Sequence, residues 1–583
     1  MFKVNPLTAA DAYKLGHRTM YQPGTEMIYS NFTPRSDRLF KGGELYDHKM
    51  VVFGIQGFVK EFLVEAWNDQ FFSKPKTPVV ARYRRRVDTF MGPGVIPVDG
   101  FEKLHDLGYL PIQVKALKEG SRVPMQIPVL TIQNTHPDFA WLVNYMESTL
   151  SNMIWKGMTV ATIAYEFRRV FDHFAEKTGV PKEVVQWQGH DFSSRGMSGP
   201  EDAARTGSAH LLSFTGTDTV SAVDYIEKYY NADANVELIG ASVPATEHSV
   251  SSSNILFEER KYVGDRNIKN AKLCAEVDFM HKYLTQIVPT GIASYVSDTY
   301  DYWAVLTAVL PQLKNVIMER DGKLVIRPDS GDPVEIICGK PTRIFNTIEE
   351  AVHTVEDEHH RKAHEDCEGS YNMGDDVYTS LVQVGDKYYN LSTEFEYNRH
   401  SKTYYYVDGS KPTQVKEIDP TPEIKGSIQV LWEIFGGTVN EKGYKVLDEH
   451  IGLIYGDSIT LDRQWQILDK LEKKGFASSN VVMGIGSFSY QHLTRDTFGS
   501  AVKSTATIVN GERIDLFKDP ATGSKLKKSA KGLLRVDLVD GEFTLTDKVS
   551  PEQEEGGELQ VVFKDGKVLN ETSLAEIRTN LLG

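Results

Sequence analysis

Seven short apolar runs, each ending in polar or glycine residues, recur through the middle of the chain, and most precede a helical pattern. Strands that alternate with helices predict a parallel sheet, and this many units favour a barrel or near-barrel. In such folds the functional side chains lie at the C-terminal ends of the strands. The runs are VVQW (184–187), LLSF (211–214), ASVPAT (241–246), IASYV (292–296), KLVI (323–326), IGLIY (451–455) and VVMG (481–484).

The two ends of the chain show a different pattern. VPMQIPVLTIQNT (123–135) is typical of a strand, and apolar residues at three- and four-residue spacing predict a helical region from Asp138 to about Lys177. The C-terminal residues are again strand-like. We therefore predict an α/β protein with an incomplete TIM-like α/β barrel at 186–499 and an α/β domain formed from both chain ends, 1–185 and 500–583.

A long insertion separates the fifth and sixth apolar runs. The stretch from Pro333 to Ile451 is too long for one loop of a compact domain. A helical pattern covers 347–368, and two aromatic, alternating stretches follow, with predicted hairpin turns at 384–386 and 408–410. We predict a β-rich insertion at 340–425.

Composition narrows the class of protein. A chain of 583 residues exceeds one hydrophobic core, so two or three domains are expected. The net charge of −15 argues against broad binding to nucleic acid or to a membrane, although an anionic small substrate needs only a local basic pocket. The sparse cysteines, Cys274, Cys338 and Cys367, favour a reducing compartment. Because the chain has neither a signal-peptide pattern nor a long apolar run, we expect a cytoplasmic protein.

The fifth run ends in Arg327, Pro328 and Asp329. The arginine side chain suits a phosphate or the face of a flat ring, and a carboxylate two residues later could hold Mg²⁺. A surface turn held by an ion pair is the alternative. The position at a strand end of a barrel favours a functional site.

Three further patterns carry candidate chemistry. The loop Gly484–Ser487 could cradle a phosphate, with Arg495 and Lys503 as nearby cations or as part of a solvated helix face. Glu247 and His248 could act as acid, base or phosphate acceptor, or His248 could be structural. The run EDEHHRKAHEDCE (356–368) has histidine and cysteine spacing compatible with zinc. Its charged neighbours favour a solvated helix instead.

Nine motifs in order carry a family resemblance: DAYKLGH, HDFSSRG, FTGTDTV, SVPATEHSV, VSDTYD, IRPDSGDP, GDS, QHLTRD and FKDP. With them the chain resembles the nicotinamide phosphoribosyltransferases, of the type II phosphoribosyltransferase family. The resemblance implies formation of nicotinamide mononucleotide and pyrophosphate from nicotinamide and 5-phosphoribosyl-1-pyrophosphate (PRPP), in NAD salvage. It also implies Mg²⁺, coupled ATP hydrolysis and a homodimer with shared active sites.

The resemblance assigns roles to single residues. For nicotinamide it implies Phe192 and Arg327 on the ring faces, Asp218 on the carboxamide NH₂, and Tyr13 and Asp11 of the partner subunit. It implies His248 as the residue phosphorylated by ATP, with Glu247 beside it, and Asp298 and Asp329 as catalytic and metal-binding residues. Lys518 and Lys527 are expected to help hold ATP. For PRPP it implies Arg195, Gly331, Gly456, Asp457, Gly486 and Ser487, with Arg35, Arg495 and Lys503 contributed across the dimer.

The chain departs from the family pattern in places. Ser458 stands where the family usually has glycine, the loop at 484–488 has fewer glycines, and Ser193-Ser194 replaces a frequent Gly-Tyr. The insertion is absent from the animal members. Two alternatives stay open: a nicotinate phosphoribosyltransferase, against which Asp218 argues, and a non-catalytic phosphate- or nucleotide-binding barrel. A barrel glycosidase fits less well, because arginine, histidine and Gly-Ser dominate the strand ends.

Overall fold

Strands are distributed over the whole chain in the computed structural model, which describes residues 4–265, 270–340, 342–368, 372–400, 404–517 and 530–583. The strands of these residues are β1 (Thr25–Thr33), β2 (Lys49–Val51), β3 (Ile112–Ala116), β4 (Arg122–Pro124), β5 (Leu130–Asn134), β6 (Gly189–Asp191), β7 (Gly216–Thr217), β8 (Gly291–Val296), β9 (Gly322–Arg327), β10 (Arg343–Phe345), β11 (Val377–Val384), β12 (Lys387–His400), β13 (Tyr404–Ser410), β14 (Gln414–Ile418), β15 (Gly437–Val439), β16 (Lys445–Leu447), β17 (Ile451–Tyr455), β18 (Val481–Ile485), β19 (Ala501–Val509), β20 (Glu512–Asp515), β21 (Leu533–Val539), β22 (Glu542–Val549), β23 (Gln560–Lys564) and β24 (Lys567–Val568).

Helices connect most of these strands, which confirms the predicted α/β class. The α-helices are α1 (Ile55–Phe58), α2 (Lys76–Met91), α3 (Asp99–Leu107), α4 (Leu142–Tyr145), α5 (Glu147–Thr178), α6 (Lys182–Val185), α7 (Pro200–His210), α8 (Val220–Tyr229), α9 (His248–Glu259), α10 (Ala271–Lys282), α11 (Tyr302–Ala304), α12 (Leu310–Met318), α13 (Pro333–Cys338), α14 (Ile348–Cys367), α15 (Pro422–Lys425), α16 (Ser427–Phe435), α17 (Leu461–Lys473), α18 (Ser487–Tyr490), α19 (Pro551–Glu554) and α20 (Leu574–Leu582). Short 3-10 helices span Ala12–Thr19, Pro137–Phe139, Ser194–Gly196, Ser478–Asn480 and Arg495–Thr497, and π-helices span Val59–Ala66, Asn68–Phe72, Tyr283–Ile287 and Val305–Val309.

Two compact units share these elements. The first comprises Met1–Val170, Gly189–Ser242 and Ile485–Gly583, and the second comprises Phe171–Gln188 and Val243–Gly484. No helix among the described residues is long and apolar enough to cross a membrane.

An antiparallel sheet with the strand order β20-β19-β1-β5-β3-β23-β24 organises the first unit. Its core contains interlocked aromatic rings, such as Trp67 and Phe71, whose centroids lie 5.6 Å apart with the planes nearly perpendicular. The stretch predicted as one strand at 123–135 forms two strands, β4 and β5. Gln126, which has a φ of +73°, lies in the turn between them, and such a conformation ends an extended strand.

A short parallel pair, β6 and β7, also belongs to the first unit, with His190 opposite Gly216 and Asp191 opposite Thr217. Each strand is followed by a helix, α7 after β6 and α8 after β7. The side chains that follow these strands are therefore placed at the same edge of the pair.

The second unit contains four parallel strands in the order β18-β17-β9-β8. These strands confirm four of the seven predicted runs. The predicted strands at 184–187 and 211–214 are wrong, because these residues form the end of α6 with the following turn and the turn after α7. A short apolar run at a helix end cannot be distinguished from a strand by periodicity. The run 241–246 makes only isolated bridges, and it contains Pro244, which has no N–H for a ladder.

A second sheet in this unit is built from β10 to β14 and packs on α14. The predicted hairpin at Gly385 is confirmed, with Val384 paired to Lys387. The hairpin predicted at 408–410 is wrong: Gly409 lies inside β13 and pairs with Glu396 beside a bulge. The helix predicted at 356–368 forms as the second half of α14, and most of its charged residues are exposed, as predicted. One stripe of α14 is buried instead, at four-residue spacing: Ala351, Val355, His359, Ala363 and Cys367.

The chain enters and leaves this β-rich segment at neighbouring points. A Cβ atom on Gly426 would lie 2.2 Å from the backbone N of Gly339, so only glycine fits this contact. Lys474 Nζ donates to the carbonyls of Cys338 (3.0 Å) and Lys425 (2.6 Å). One side chain thus binds both stems of the segment.

Candidate active site

Asp298 follows β8, and the loop after β9 folds onto its carboxylate. Its Oδ2 accepts hydrogen bonds from the backbone N–H of Asp329 (3.0 Å) and from the hydroxyl of Ser330 (2.6 Å). The side chain is only 5% exposed, and Oδ1 is buried without a hydrogen-bond partner among the described residues. A buried carboxylate oxygen that is left unpaired is costly unless a cation or donor completes it.

Tyr455, at the end of β17, is buried and feels the negative charge of several carboxylates. Burial, followed by the negative charges of Asp457, Asp329 and Asp298, raises the pKa of Tyr455 well above its usual value. The hydroxyl donates to the carbonyl of Gly331 (2.8 Å), which fixes the loop that carries Asp329. Gly331 has a φ of +94°, a conformation that glycine adopts without strain.

Two of these carboxylates, Asp298 and Asp329, could hold a magnesium ion that takes its remaining ligands from elsewhere. Magnesium in such sites takes one or two carboxylates and completes its shell with water and phosphate oxygens. Within the described part of the chain, no group of three or more His, Cys, Asp or Glu residues is arranged to hold a metal ion by itself. Asp298 Oδ1 and the Asp329 carboxylate are the groups available for such an ion.

Beside Asp298 lies His248, the first residue of α9. Its Nδ1 lies 3.1 Å from the Thr299 hydroxyl, and its Nε2 lies 3.8 Å from Asp298 Oδ1. The side chain is 51% exposed and faces an open cleft of about 480 Å³. Besides His248, the cleft is lined by Ser249, Ser252, Asp298, Thr299, Tyr300, Asp329 and Ser330. An exposed imidazole held through Nδ1 can present Nε2 to a ligand.

Four other predicted residues also belong to the second unit. Arg327 ends β9 and donates from Nη2 to the carbonyl of Thr246 (2.7 Å), two residues before His248. Glu247 precedes α9 and accepts a hydrogen bond from the Ser249 hydroxyl. Gly456 and Asp457 follow β17, and the next residue, Ser458, has a φ of +49° where the family usually has glycine.

In the first unit, the ends of β6 and β7 bring His190, Phe192 and Asp218 together. His190 Nε2 lies 2.9 Å from Asp218 Oδ1, and the His190 and Phe192 rings have centroids 4.8 Å apart. The Ser242 hydroxyl also donates to Asp218 Oδ1. The Asp218 side chain is 43% exposed, so it keeps surface for a ligand beside these partners.

The predicted phosphate loop lies close to the turn that carries Arg195. A Cβ atom on Gly196 would lie 2.2 Å from Ser487 Oγ, so glycine at 196 permits this approach. Arg195 is exposed in the 3-10 helix Ser194–Gly196. Gly486 precedes α18 and has open space around its Cα.

A buried histidine connects α18 to β7. Burial lowers the pKa of His210 to about 4, so the ring is neutral. Its Nε2 lies 3.0 Å from the carbonyl of Gly216, and its Nδ1 lies 2.8 Å from the Tyr490 hydroxyl. Because a carbonyl accepts only, Nε2–H donates to Gly216 and Nδ1 accepts from Tyr490.

The residues predicted to act across a dimer lie at other positions of the first unit. Arg35 donates from Nε to the carbonyl of Gly499 (2.7 Å) and so lies against the turn that begins at Arg495. Lys503 lies in β19, opposite Asn31 of β1. Asp11 binds Ser148, and the exposed Tyr13 hydroxyl lies 3.5 Å from Asp11 Oδ2.

Two predicted residues, Lys518 and Lys527, lie outside the described residues. The region with zinc-like spacing holds no metal site among the residues described: His359 is buried between Thr393 and Ser380, and His360 contacts Ser410. Sequence reasoning missed the supporting residues His190, Asp191, Ser242, Thr299 and Ser330. His190, Asp191, Thr299 and Ser330 lie within three residues of a strand end, which was the available signal for them. Ser242 lies in the run 241–246, which forms no strand, and gave no such signal.

The family of the chain is shown by its sequence. The sequence matches the nicotinate phosphoribosyltransferase (NAPRTase) family over residues 187–363 and 394–567. A relative from Acinetobacter baylyi, named nicotinamide phosphoribosyltransferase, is 45% identical over all of this chain and 97% of its own length. A relative of the same name from Mycoplasma pneumoniae is 29% identical over 88% of this chain and 92% of its own. The crystal structure of nicotinate-nucleotide pyrophosphorylase from Pyrococcus furiosus matches with a TM-score of 0.49 and 13% identity, covering 100% of this chain and 96% of that one.

Proposed function

Because the chain belongs to the nicotinate phosphoribosyltransferase (NAPRTase) family, we propose that it is a nicotinamide phosphoribosyltransferase. It is a pentosyltransferase of NAD biosynthesis that joins nicotinamide to PRPP, releasing pyrophosphate and forming nicotinamide mononucleotide. The relatives of the same name that cover nearly the whole chain support this activity.

The structural observation that carries the choice of substrate is the Asp218 carboxylate at the end of β7. It is 43% exposed, with His190 and Ser242 on its Oδ1, and the His190 ring in turn contacts the Phe192 ring. A carboxylate accepts a hydrogen bond from the NH₂ of a carboxamide but repels the carboxylate of nicotinate. Nicotinamide therefore fits this site better than nicotinate does.

The chemistry requires positioning more than covalent help. The pyridine nitrogen attacks C1 of the ribose while pyrophosphate leaves, and positive charge develops on the sugar. A bound Mg²⁺ would neutralise the leaving pyrophosphate, and Asp298 and Asp329 are the residues proposed to hold it. The pyridine ring is proposed to lie between flat side chains. These are Phe192 and Arg327 of one subunit and Tyr13 of the partner subunit. Asp11 of the partner subunit is proposed to assist.

The phosphates of PRPP are assigned to the glycine-rich loops and to exposed cations. Gly486 and Ser487 are proposed to bind the 5′-phosphate, and Arg195 and Gly331 the pyrophosphate side. Gly456 and Asp457 are proposed to bind the ribose. Across a homodimer, Arg35, Arg495 and Lys503 would supply positive charge. The open space at Gly486 and the exposure of Arg195 support these assignments.

We also propose that ATP phosphorylates His248. The exposed imidazole in a cleft that also contains Asp298 and Asp329 supports this assignment, because the same cations could serve both phosphate substrates. Nε2 is the proposed acceptor, since Nδ1 is engaged by Thr299 (3.1 Å). Glu247 is its neighbour, and Lys518 and Lys527 complete the proposed ATP site.

We place the parallel strands of the second unit in an incomplete TIM-like barrel. Polar candidate residues at the C-terminal ends of β8, β9 and β17 support this description.

The deciding experiment is a product assay with both pyridine substrates. Purified protein is mixed with PRPP, Mg²⁺ and either nicotinamide or nicotinate, with and without ATP. We expect pyrophosphate and nicotinamide mononucleotide from nicotinamide. Preferential turnover of nicotinate would make the chain a nicotinate phosphoribosyltransferase, and PRPP binding without turnover with either substrate would make it a non-catalytic binding protein.

A further inference from the structure

The side chains at the end of β6 and directly after it lie on two faces. His190 and Phe192 point to the side of Asp218, whereas Asp191, between them, is completely buried. Alternate residues of an extended segment point to opposite faces. The carboxylate of Asp191 therefore lies beneath the residues proposed to bind nicotinamide, where it cannot contact the substrate.

The buried carboxylate binds both loops that carry those residues. Oδ1 accepts the backbone N–H of Ser193 (2.9 Å), the residue after Phe192. Oδ2 accepts the hydroxyls of Thr219 (2.7 Å) and Thr217 (3.4 Å), the residues on either side of Asp218.

Backbone contacts complete this arrangement. The carbonyl of Asp191 accepts the N–H of Asp218 (3.0 Å), and the Thr217 hydroxyl accepts the N–H of Thr219 (3.0 Å). Helix α7 packs against the Asp191 carboxylate at Gly207, where a Cβ atom would lie 3.2 Å from Asp191 Oδ2. Among the residues that the structure describes, the donors to this carboxylate thus flank the two positions proposed to bind the ligand.

We propose that Asp191 is a positioning residue that sets the separation of Phe192 and Asp218, and with it the affinity for a pyridine carboxamide. This inference rests on the proposed function and adds to it a residue that does not contact substrate. A carboxylate suits the position because it accepts from three donors at once. Its replacement leaves buried donors unpaired, and the two loops relax independently.

The test is a comparison of the two KM values in the full-length protein. Asp191→Asn keeps the shape but replaces one acceptor oxygen with a donor. We expect the KM for nicotinamide to rise about tenfold, which corresponds to one weakened hydrogen-bonded contact. The KM for PRPP should remain at the wild-type value. An unchanged KM for nicotinamide, or equal rises of both KM values, would overturn the proposal.

A matched control separates positioning from stability. Glu554→Gln alters another buried carboxylate of the same unit, which binds Lys115 (2.7 Å) and Tyr29 (3.1 Å). It should lower the thermal midpoint without changing the ratio of the two KM values. If Asp191→Asn does not fold, Thr219→Val takes its place, and the two KM values are again compared. This variant removes the 2.7 Å hydrogen bond from the Thr219 hydroxyl to Asp191 and keeps the carboxylate.

The same experiment distinguishes a failure of the proposed function. If the wild-type protein forms no product, that function is wrong. Calorimetric titration of nicotinamide into wild type, Asp191→Asn and Glu554→Gln then replaces KM with Kd. Weaker binding by Asp191→Asn alone supports the positioning role, and equal Kd values, or no binding by the wild type, overturn it.

Discussion

Asp298 Oδ2 accepts the backbone N–H of Asp329 (3.0 Å), while the other oxygen of the same carboxylate is buried, accepts no hydrogen bond from the residues described and lies 3.8 Å from His248 Nε2. The two strand ends are therefore held together by one oxygen and leave the other for a cation. Mg²⁺, with its preference for carboxylate and phosphate oxygens, fits this arrangement.

Asp298→Asn should raise the Mg²⁺ concentration for half-maximal activity by about tenfold, because it removes the charge that a cation would offset. The measurement is a magnesium titration at fixed PRPP. Chelation with EDTA should abolish activity, and added Mg²⁺ should restore it. Asp301→Asn is the control, since Asn can keep the cap that Asp301 provides for α11 (3.0 Å). An unaltered magnesium requirement in Asp298→Asn would remove this residue from the metal site.

His248→Ala should abolish the stimulation by ATP and leave basal transfer, because His248 is the imidazole that lines the cleft among the described residues. The measurement compares rates with and without ATP and follows label from γ-labelled ATP into acid-labile phosphoprotein. Thr299→Val should weaken labelling without abolishing it, since it removes only the 3.1 Å contact at Nδ1. Full labelling of His248→Ala would show that phosphate is held elsewhere.

Asp218→Asn should weaken discrimination against nicotinate. The neutral amide removes the repulsion between two carboxylates, so the ratio of kcat/KM for nicotinate to that for nicotinamide should rise by about tenfold or more. Steady-state kinetics with both substrates measures this ratio. Asp224→Asn, on the exposed face of α8, is the matched control. A ratio equal to the wild-type ratio would exclude Asp218 as the selecting residue.

Glu276 predicts a pH dependence of stability. Burial raises the pKa of this carboxyl to about 7, and its Oε1 accepts from the Tyr295 hydroxyl (3.1 Å). Because the folded state binds the proton more tightly than the unfolded state, the stabilisation is present at low pH and is lost between about pH 4.5 and pH 7.

Glu276→Gln keeps a carbonyl acceptor without a charge. Relative to wild type, its free energy of unfolding should therefore increase by up to about 3 kcal/mol between pH 4 and pH 8. Denaturant unfolding at several pH values measures the difference. A difference that does not vary with pH would show that Glu276 is charged equally in both states.

Removal of the β-rich segment should leave the rest of the second unit folded. Gly339 and Gly426 already touch, so a short glycine linker can replace 340–425 without moving either stem. We expect one cooperative unfolding transition, a thermal midpoint within about 4 °C of wild type, and retained transfer activity. Circular dichroism and the product assay provide the measurements. Insoluble or inactive protein would contradict the prediction that the rest of the unit folds without the segment. Lys474→Met in the full chain is the control, because it removes only the hydrogen bonds that Lys474 makes to the two stems.

The sequence predicted those parts of the fold in which pattern and local chemistry agree. KLVI, IGLIY, IASYV and VVMG are β-rich runs bounded by glycine or charge, and they form strands. VVQW and LLSF have the same apolar content but belong to the ends of helical segments, where periodicity over four residues carries no information. Gly409 has turn chemistry, yet strand pairing with Glu396 decides its conformation.

The sequence predicted which residues form the candidate site but not which residues hydrogen-bond to them and orient them. Asp298 follows a predicted run that forms a strand, β8, so its edge position follows from the alternation. Asp218 and His248 follow the runs 211–214 and 241–246, which do not form strands, although the sequence pattern still marked both residues. The partners that orient them come from distant positions: Ser242 lies 24 residues from Asp218, and Ser330 lies 32 residues from Asp298. Asp191 resembles any other acid in the sequence, and only its burial reveals the two loops that it connects.

The β-rich segment is connected to the strand ends through α13, because Lys474 binds the two chain positions at which the segment begins and ends. Helix α13 has six residues, about 9 Å of length. Asp332 caps its first turn through two backbone N–H groups, immediately after the Asp329 loop, and Lys474 binds the carbonyl at its last residue. A displacement of the segment would therefore be passed along this one short helix to the loop that carries Asp329.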